Sequence, residues 1–155
     1  MAQKKGGPSK GSRELHVKVK TAKGRRLSSK LWLERQLNDP YIVKAKKEGY
    51  RSRATFKLSE INEKYRLLQK GMNIIDLGCA PGGWLQYASN KIGLDKGKGS
   101  LIGIDLQEVE PVAGCTIIQG DFLEEGMMDK LKKYIPDGKV DMVMSDMAAS
   151  STGHK

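Results

Sequence analysis

The residues that could do chemistry together in this 155-residue chain are four aspartates, one glycine-rich turn and one lysine. The turn lies in Asn73-Ile74-Ile75-Asp76-Leu77-Gly78-Cys79-Ala80-Pro81-Gly82-Gly83-Trp84. A short apolar run ending in an acid reads as a buried parallel strand reaching its carboxyl edge. Glycines at 78, 82 and 83 then permit a tight turn, and the helical pattern from Trp84 to Ile92 presents free N–H groups at its start. The spacing is Gly-x-x-x-Gly-Gly, not the Gly-x-Gly-x-x-Gly that holds a dinucleotide pyrophosphate. It fits a ligand without phosphate, and Asp76 supplies a carboxylate for a cationic one. S-adenosylmethionine meets both conditions. A plain glycine turn in an ordinary α/β protein is the alternative.

Three further strands deliver the other acids. Ser100–Asp105 ends in Asp105, placed either to accept ribose hydroxyls or to cap the following turn. Thr116–Gln119 is followed by Asp121, which either caps the next helix or takes an adenine amino group. Val140–Asp146 ends in Asp146. Helices alternating with strands make the sheet parallel, so Asp76, Asp105, Asp121 and Asp146 share one sheet edge, where ligands of open α/β sheets sit. The fourth strand is expected beside the first, as an exposed edge.

Ahead of the sheet the spacing predicts three helices. Leu31, Trp32, Leu33 and Leu37 make a short first one. Pro40 opens a second with Asp39 as its cap, and Gly49 ends it. In the third, capped by Ser52 or Ser59, Ala54, Leu58, Ile61, Tyr65 and Leu68 form one buried face, and Gly71 closes it. Lys57 falls just off that face and, alone, reads as a surface lysine. Leu123, Met127, Met128, Leu131 and Ile135 predict another amphipathic helix, its methionines filling core.

Charge is unevenly placed. The chain carries +10 overall, but residues 1–30 hold ten Lys/Arg against one acid, residues 31–70 ten against five, and residues 71–155 eight against twelve. A polyanion at the amino-terminal half follows, and nucleic acid is the commonest. Residues 1–28 have almost no apolar periodicity and read as a disordered basic tail, with the folded domain at 29–155. Lys44, Lys47, Arg51 and Arg53 interleave with Tyr41, Tyr50 and Phe56, giving phosphate contacts and stacking surfaces together, as looped or single-stranded RNA requires. No run is apolar enough to span a membrane, and no metal spacing occurs. The isolated Cys79 and Cys115 suit a reduced, cytoplasmic setting as buried residues, and His16 and His154 lie in polar surroundings.

Four separated stretches then resemble the FtsJ/RrmJ family of RNA ribose 2′-O-methyltransferases, and within it the bacterial large-subunit ribosomal RNA branch. They are Arg51-Ser52-Arg53-Ala54 with Phe56-Lys57-Leu58, Asp76-Leu77-Gly78 with Ala80-Pro81-Gly82-Gly83-Trp84, Gln119-Gly120-Asp121-Phe122, and Met144-Ser145-Asp146-Met147-Ala148. They stand in family order over roughly residues 29–149. Cys79 in the turn and Ala149, where the family usually has proline, are local departures.

The resemblance implies a Rossmann-like methyltransferase fold, S-adenosylmethionine as methyl donor, and methylation of a ribose (uridine) in large-subunit rRNA, free or within the subunit. It implies cofactor contacts at Gly82, Trp84, Asp105, Asp121 and Asp146, beside Asp76 and Gly78 of the turn. It implies a Lys-Asp-Lys-Glu set at the target ribose, with Lys57 as first lysine and Asp146 as the aspartate. The second lysine and the glutamate belong beyond strand four, so the chain is expected to be an amino-terminal portion, truncated after that strand and weakly active or inactive alone. The implied reaction is in-line attack of the ribose 2′ oxygen on the methyl carbon, which needs alignment and removal of a proton from a weakly acidic alcohol. A monomer is expected. The reading from a different class is a non-catalytic RNA-binding module using the basic first half.

Overall fold

The structure, a computed structural model, describes residue 24 and residues 26–147. Most of the expected tail, and Ala148 and Ala149 of the family pattern, lie outside the described residues. The chain divides into two compact units between Asp39 and Pro40. The first unit holds helix α1 (Leu27–Asn38), which ends where the Asn38 amide donates to the Glu34 carbonyl and buries none of its residues. No helix among the described residues is long and apolar enough to cross a membrane.

The second unit holds α2 (Pro40–Glu48), α3 (Thr55–Tyr65), β1 (Asn73–Leu77), α4 (Gly83–Ile92), β2 (Ser100–Asp105), β3 (Thr116–Gln119), α5 (Met127–Lys132) and β4 (Met142–Ser145). The strands form one sheet in the order β3-β2-β1-β4, every pair parallel. Parallel strands covered on both faces need apolar side chains pointing both ways. Ile74, Leu101, Leu85, Ala88 and Ile92 pack on one face with Leu58, and Ile75, Ile102, Ile104, Ile118, Met127 and Leu131 pack on the other. Each buried Leu, Ile or Met side chain among them contributes on the order of 2 kcal/mol. Gly103 lets α4 approach the sheet, because a Cβ there would stand 2.7 Å from the Cys79 sulfur and 2.9 Å from Leu85.

As expected, β4 lies beside β1 at the edge of the described sheet, and Val143 is 58% exposed there. The strand is shorter than Val140–Asp146 because Asp141 works as a clamp instead. Its carboxylate accepts from the Asn73 N–H and its own N–H donates to the Asn73 carbonyl.

The third helix corrects the apolar periodicity. Its buried residues are Thr55, Phe56, Leu58 and Asn62, while Ile61 and Tyr65 are exposed. Asn62 earns this place by bonding. Its side-chain oxygen accepts from the Leu68 N–H, and its amide lies 3.4 Å from the Tyr87 hydroxyl. The helix ends not at Gly71 but at Arg66, in a left-handed conformation with its N–H on the Asn62 carbonyl. Leu68 is still buried, in the connection beyond. At the start, Ser52 accepts from the Ala54 N–H, whereas Ser59 bonds back to the Phe56 carbonyl and caps nothing. The methionine-rich helix is also shorter than expected: Met127, Leu131 and Ile135 are buried, but Leu123 and Met128 face solvent.

Candidate active site

Asp76 sits on β1 between Gly103 and Met144 of its neighbours and is 1% exposed. Its Oδ2 is buried without a hydrogen-bond partner among the described residues. Loss of water, then the nearby charges of Asp146 and Asp105, push its pKa up to about 7. The side chain faces a pocket with Gly78, Ala80, Gly83, Trp84 and Asp146 in its wall. A carboxyl buried next to other acids takes up a proton more readily, and a cation beside it would hold it ionised. The same burial, followed by Asp76 and Asp105, raises the Cys79 thiol to about 12, so it stays a protonated core group.

The glycine turn is built by β2. Ile104 accepts from the Gly78 and Cys79 N–H groups, and the Asp105 carboxylate accepts from the Ala80 N–H at 2.9 Å. Its other oxygen accepts from the Gln107 N–H at 2.8 Å, so the turn-capping reading of Asp105 holds. Asp121 likewise accepts from the Leu123 N–H at 2.9 Å. Both acids nevertheless line a second pocket with Ile104, Leu106, Phe122 and Met147. Gly78 belongs to both pockets, with φ +69° and no room for a Cβ beside Met147. The four acids thus meet along one strand edge, as expected, in two adjoining compartments.

Lys57 joins this edge from α3. Its ammonium lies 2.6 Å from Asp146 Oδ1, with the lysine side chain 60% exposed and the aspartate 29%. The first turn of α3 is positioned by α4: the Trp84 indole N–H donates to the Ala54 carbonyl at 2.7 Å. Thr55 packs so closely on Gly83 that a Cβ at 83 would strike its hydroxyl. Trp84 therefore lines the Asp76 pocket and also sets the helix that carries Lys57.

The cations expected on RNA separate into two groups. Lys44 lies 4.7 Å over the Phe56 ring and Arg53 5.5 Å from the Tyr41 ring, while Lys47 is exposed on the last turn of α2. Arg51 faces the glycine turn and the loop after β2. Its guanidinium donates to the carbonyls of Pro81 at 3.2 Å, Glu110 at 2.5 Å and Pro111 at 2.6 Å, and its backbone N–H to Gln86. It staples the glycine turn to the loop after β2.

A strand-edge acid, a glycine turn and a lysine–aspartate pair now stand in one geometry, and comparison with known proteins gives it a family. The profile of the FtsJ-like methyltransferases matches residues 50–155. The chain belongs to the FtsJ-like methyltransferase family. It is 58% identical over 151 residues to the ribosomal RNA large subunit methyltransferase E of Ruegeria pomeroyi, covering 94% of this chain and 64% of that protein. It is 56% identical to the protein of the same name from another Ruegeria species, covering 68% of that one. A crystal structure described as a ribosomal RNA methyltransferase from Plasmodium falciparum matches with a TM-score of 0.59 and 36% identity, over 68% of this chain and 60% of that one. The chain therefore spans about two thirds of the length of the relatives it matches.

Membership in the FtsJ-like family makes the fold a Rossmann-like methyltransferase fold, and the family implies a methyl donor. Leu106 and Phe122 of the second pocket were not singled out as site residues by sequence reasoning. Phe122 had a signal, since it follows Asp121 in the quoted motif. Leu106 had none, because only the path of the loop after β2 brings it there.

Proposed function

We propose that the chain carries the donor site and part of the catalytic site of an S-adenosylmethionine-dependent methyltransferase acting on a ribose 2′ hydroxyl of large-subunit rRNA. The observation that carries this is the double position of Asp146, which lines the Asp76 pocket and pairs with Lys57. Donor site and nucleophile site are thereby contiguous.

When bound, S-adenosylmethionine supplies a methyl group activated by a positively charged sulfur. The residues present fit it. The unpaired Asp76 carboxylate supplies the counter-charge for a cationic ligand, and its burial strengthens that attraction relative to water. Asp105 and Asp121 offer acceptors in the adjoining compartment, Phe122 an apolar ring, and Gly78 and Gly82 let the backbone come close. Lys57 and Asp146 hold the ribose hydroxyl at the mouth, Lys57 by donated N–H groups and Asp146 as acceptor. Such positioning is a large part of catalysis when the leaving group is already good.

The test has two stages. Calorimetric titration of the purified chain with S-adenosylmethionine should show saturable binding that Asp76→Ala removes. A protein carrying this sequence at the length of its relatives should transfer tritiated methyl to large-subunit rRNA, and Lys57→Ala and Asp146→Ala should each lower the rate by at least about a hundredfold. Full activity in both variants would remove these residues from the mechanism. A chain that binds RNA but never the donor would favour the non-catalytic RNA-binding reading.

A further inference from the structure

We propose that a pocket sharing Ala54 with the donor site receives a nucleobase of the RNA, one that presents an N–H edge. The proposal rests on the RNA methyltransferase reading above and locates part of its substrate. The pocket is walled by Tyr41, Arg53, Ala54, Phe56, Lys57 and Glu60, and holds about 450 Å³. That volume is in the range of small-ligand sites. All six residues come from α2, α3 and the turn between them.

Three observations point to a base. The first is aromatic surface with cations already on it. Phe56 is buried as a floor, with the Tyr41 ring 5.8 Å from it at a tilt of 41°. Tyr41 itself is 43% exposed, and the Arg53 guanidinium lies 5.5 Å from its ring. Aromatic faces and guanidinium planes are the surfaces on which unpaired bases stack.

The second is Glu60, whose carboxylate lies 3.4 Å from the Tyr41 hydroxyl. An acceptor-only group in the wall repels a phosphate, although the neighbouring cations attract one. It accepts instead from the imino or amino N–H of a base edge. A basic patch used only for phosphates has no use for this acid.

The third is position. Lys57 lines this pocket and Asp146 the donor pocket, and the two side chains meet at 2.6 Å. A ribose whose hydroxyl reaches that pair has its base, or the next base along, within reach of Tyr41. The pair marks the border between the methyl-donor side and the base side.

The experiment uses the purified chain and a fluorescein-labelled single-stranded RNA dodecamer, with affinity measured by anisotropy over a range of salt. Tyr41→Leu keeps apolar packing on Phe56 but removes the stacking ring; it should weaken binding about tenfold, as expected for one lost stack. The slope of log affinity against log salt should stay unchanged, because no phosphate contact is lost. Tyr41→Phe should restore binding to near the wild-type value. In parallel, the wild-type chain is photocrosslinked to RNA containing 5-iodouridine and the adduct mapped by mass spectrometry; a crosslink at Tyr41 or Phe56 is expected. Equal binding by Tyr41→Leu, a loss accompanied by a shallower salt slope, or crosslinks found only elsewhere would overturn the pocket and leave the methyltransferase reading standing. A wild-type chain that binds no RNA at all would overturn both.

Discussion

Asp76 carries a structural cost that the proposed donor site turns to use. Its pKa rises from 3.8 to about 7 on folding, chiefly through lost hydration and then through Asp146 and Asp105. A carboxyl raised in this way keeps its proton in the folded state where the unfolded chain has lost it. The stability it contributes is full below about pH 4 and is lost as pH rises to about 7. Asp76→Asn should therefore leave the unfolding free energy, measured by urea denaturation, unchanged in acid and raise it at pH 8 by on the order of 1–3 kcal/mol. The ionised form is the one that attracts a cationic donor. Affinity for S-adenosylmethionine, measured by calorimetry, should rise between pH 5.5 and 8 with its midpoint near 7 in the wild type, and Asp76→Asn should flatten the profile.

At the scale of elements, the site depends on α3 and α4 meeting at their amino ends. Gly83 touches the Thr55 hydroxyl, and Trp84 donates to the Ala54 carbonyl. Gly83→Ala should cost about 2 kcal/mol through overpacking, read by urea denaturation. Combining it with Thr55→Ala should recover part of that loss, since neighbours that clash are not additive. Arg51 acts between loops, holding Pro81 of the glycine turn against Glu110 and Pro111. Arg51→Ala should thus weaken donor binding about tenfold while shifting RNA affinity little, and should speed amide exchange in residues 106–114. If RNA affinity fell and donor binding did not, Arg51 would belong with the phosphate-binding cations after all. Interleaving with aromatics groups it with Arg53, and an Arg-x-Arg step carries no sign of which guanidinium turns toward the glycine turn. The face of α3 misled for a related reason: apolar spacing selected Ile61 and Tyr65, but Asn62 is buried because it has partners at Leu68 and Tyr87.

At the scale of the whole molecule, positive charge is concentrated in the first 70 residues and negative charge after them. RNA binding by the chain should fall steeply with salt, and alanine at Lys44, Lys47 or Arg53 should each reduce the slope by about 0.7, the value for one released counterion on a single strand. The sequence by itself determined the strands, their parallel arrangement and the gathering of Asp76, Asp105, Asp121 and Asp146 at one edge. Those features follow from local rules: apolar runs buried on both faces, helices between them, and turns that start at strand ends. Only the tertiary structure decided the placement of β2 and β3 on the other side of β1 from β4, the turn of Arg51 toward Pro81, Glu110 and Pro111, the polar seam at Asn62, and the direct 2.6 Å ion pair between Lys57 and Asp146, 89 residues away. Each of these is a contact between segments distant in the chain. Local spacing is blind to them because their free energy comes from which surfaces pack together, and that is settled only when the whole sheet and its helices close on one another.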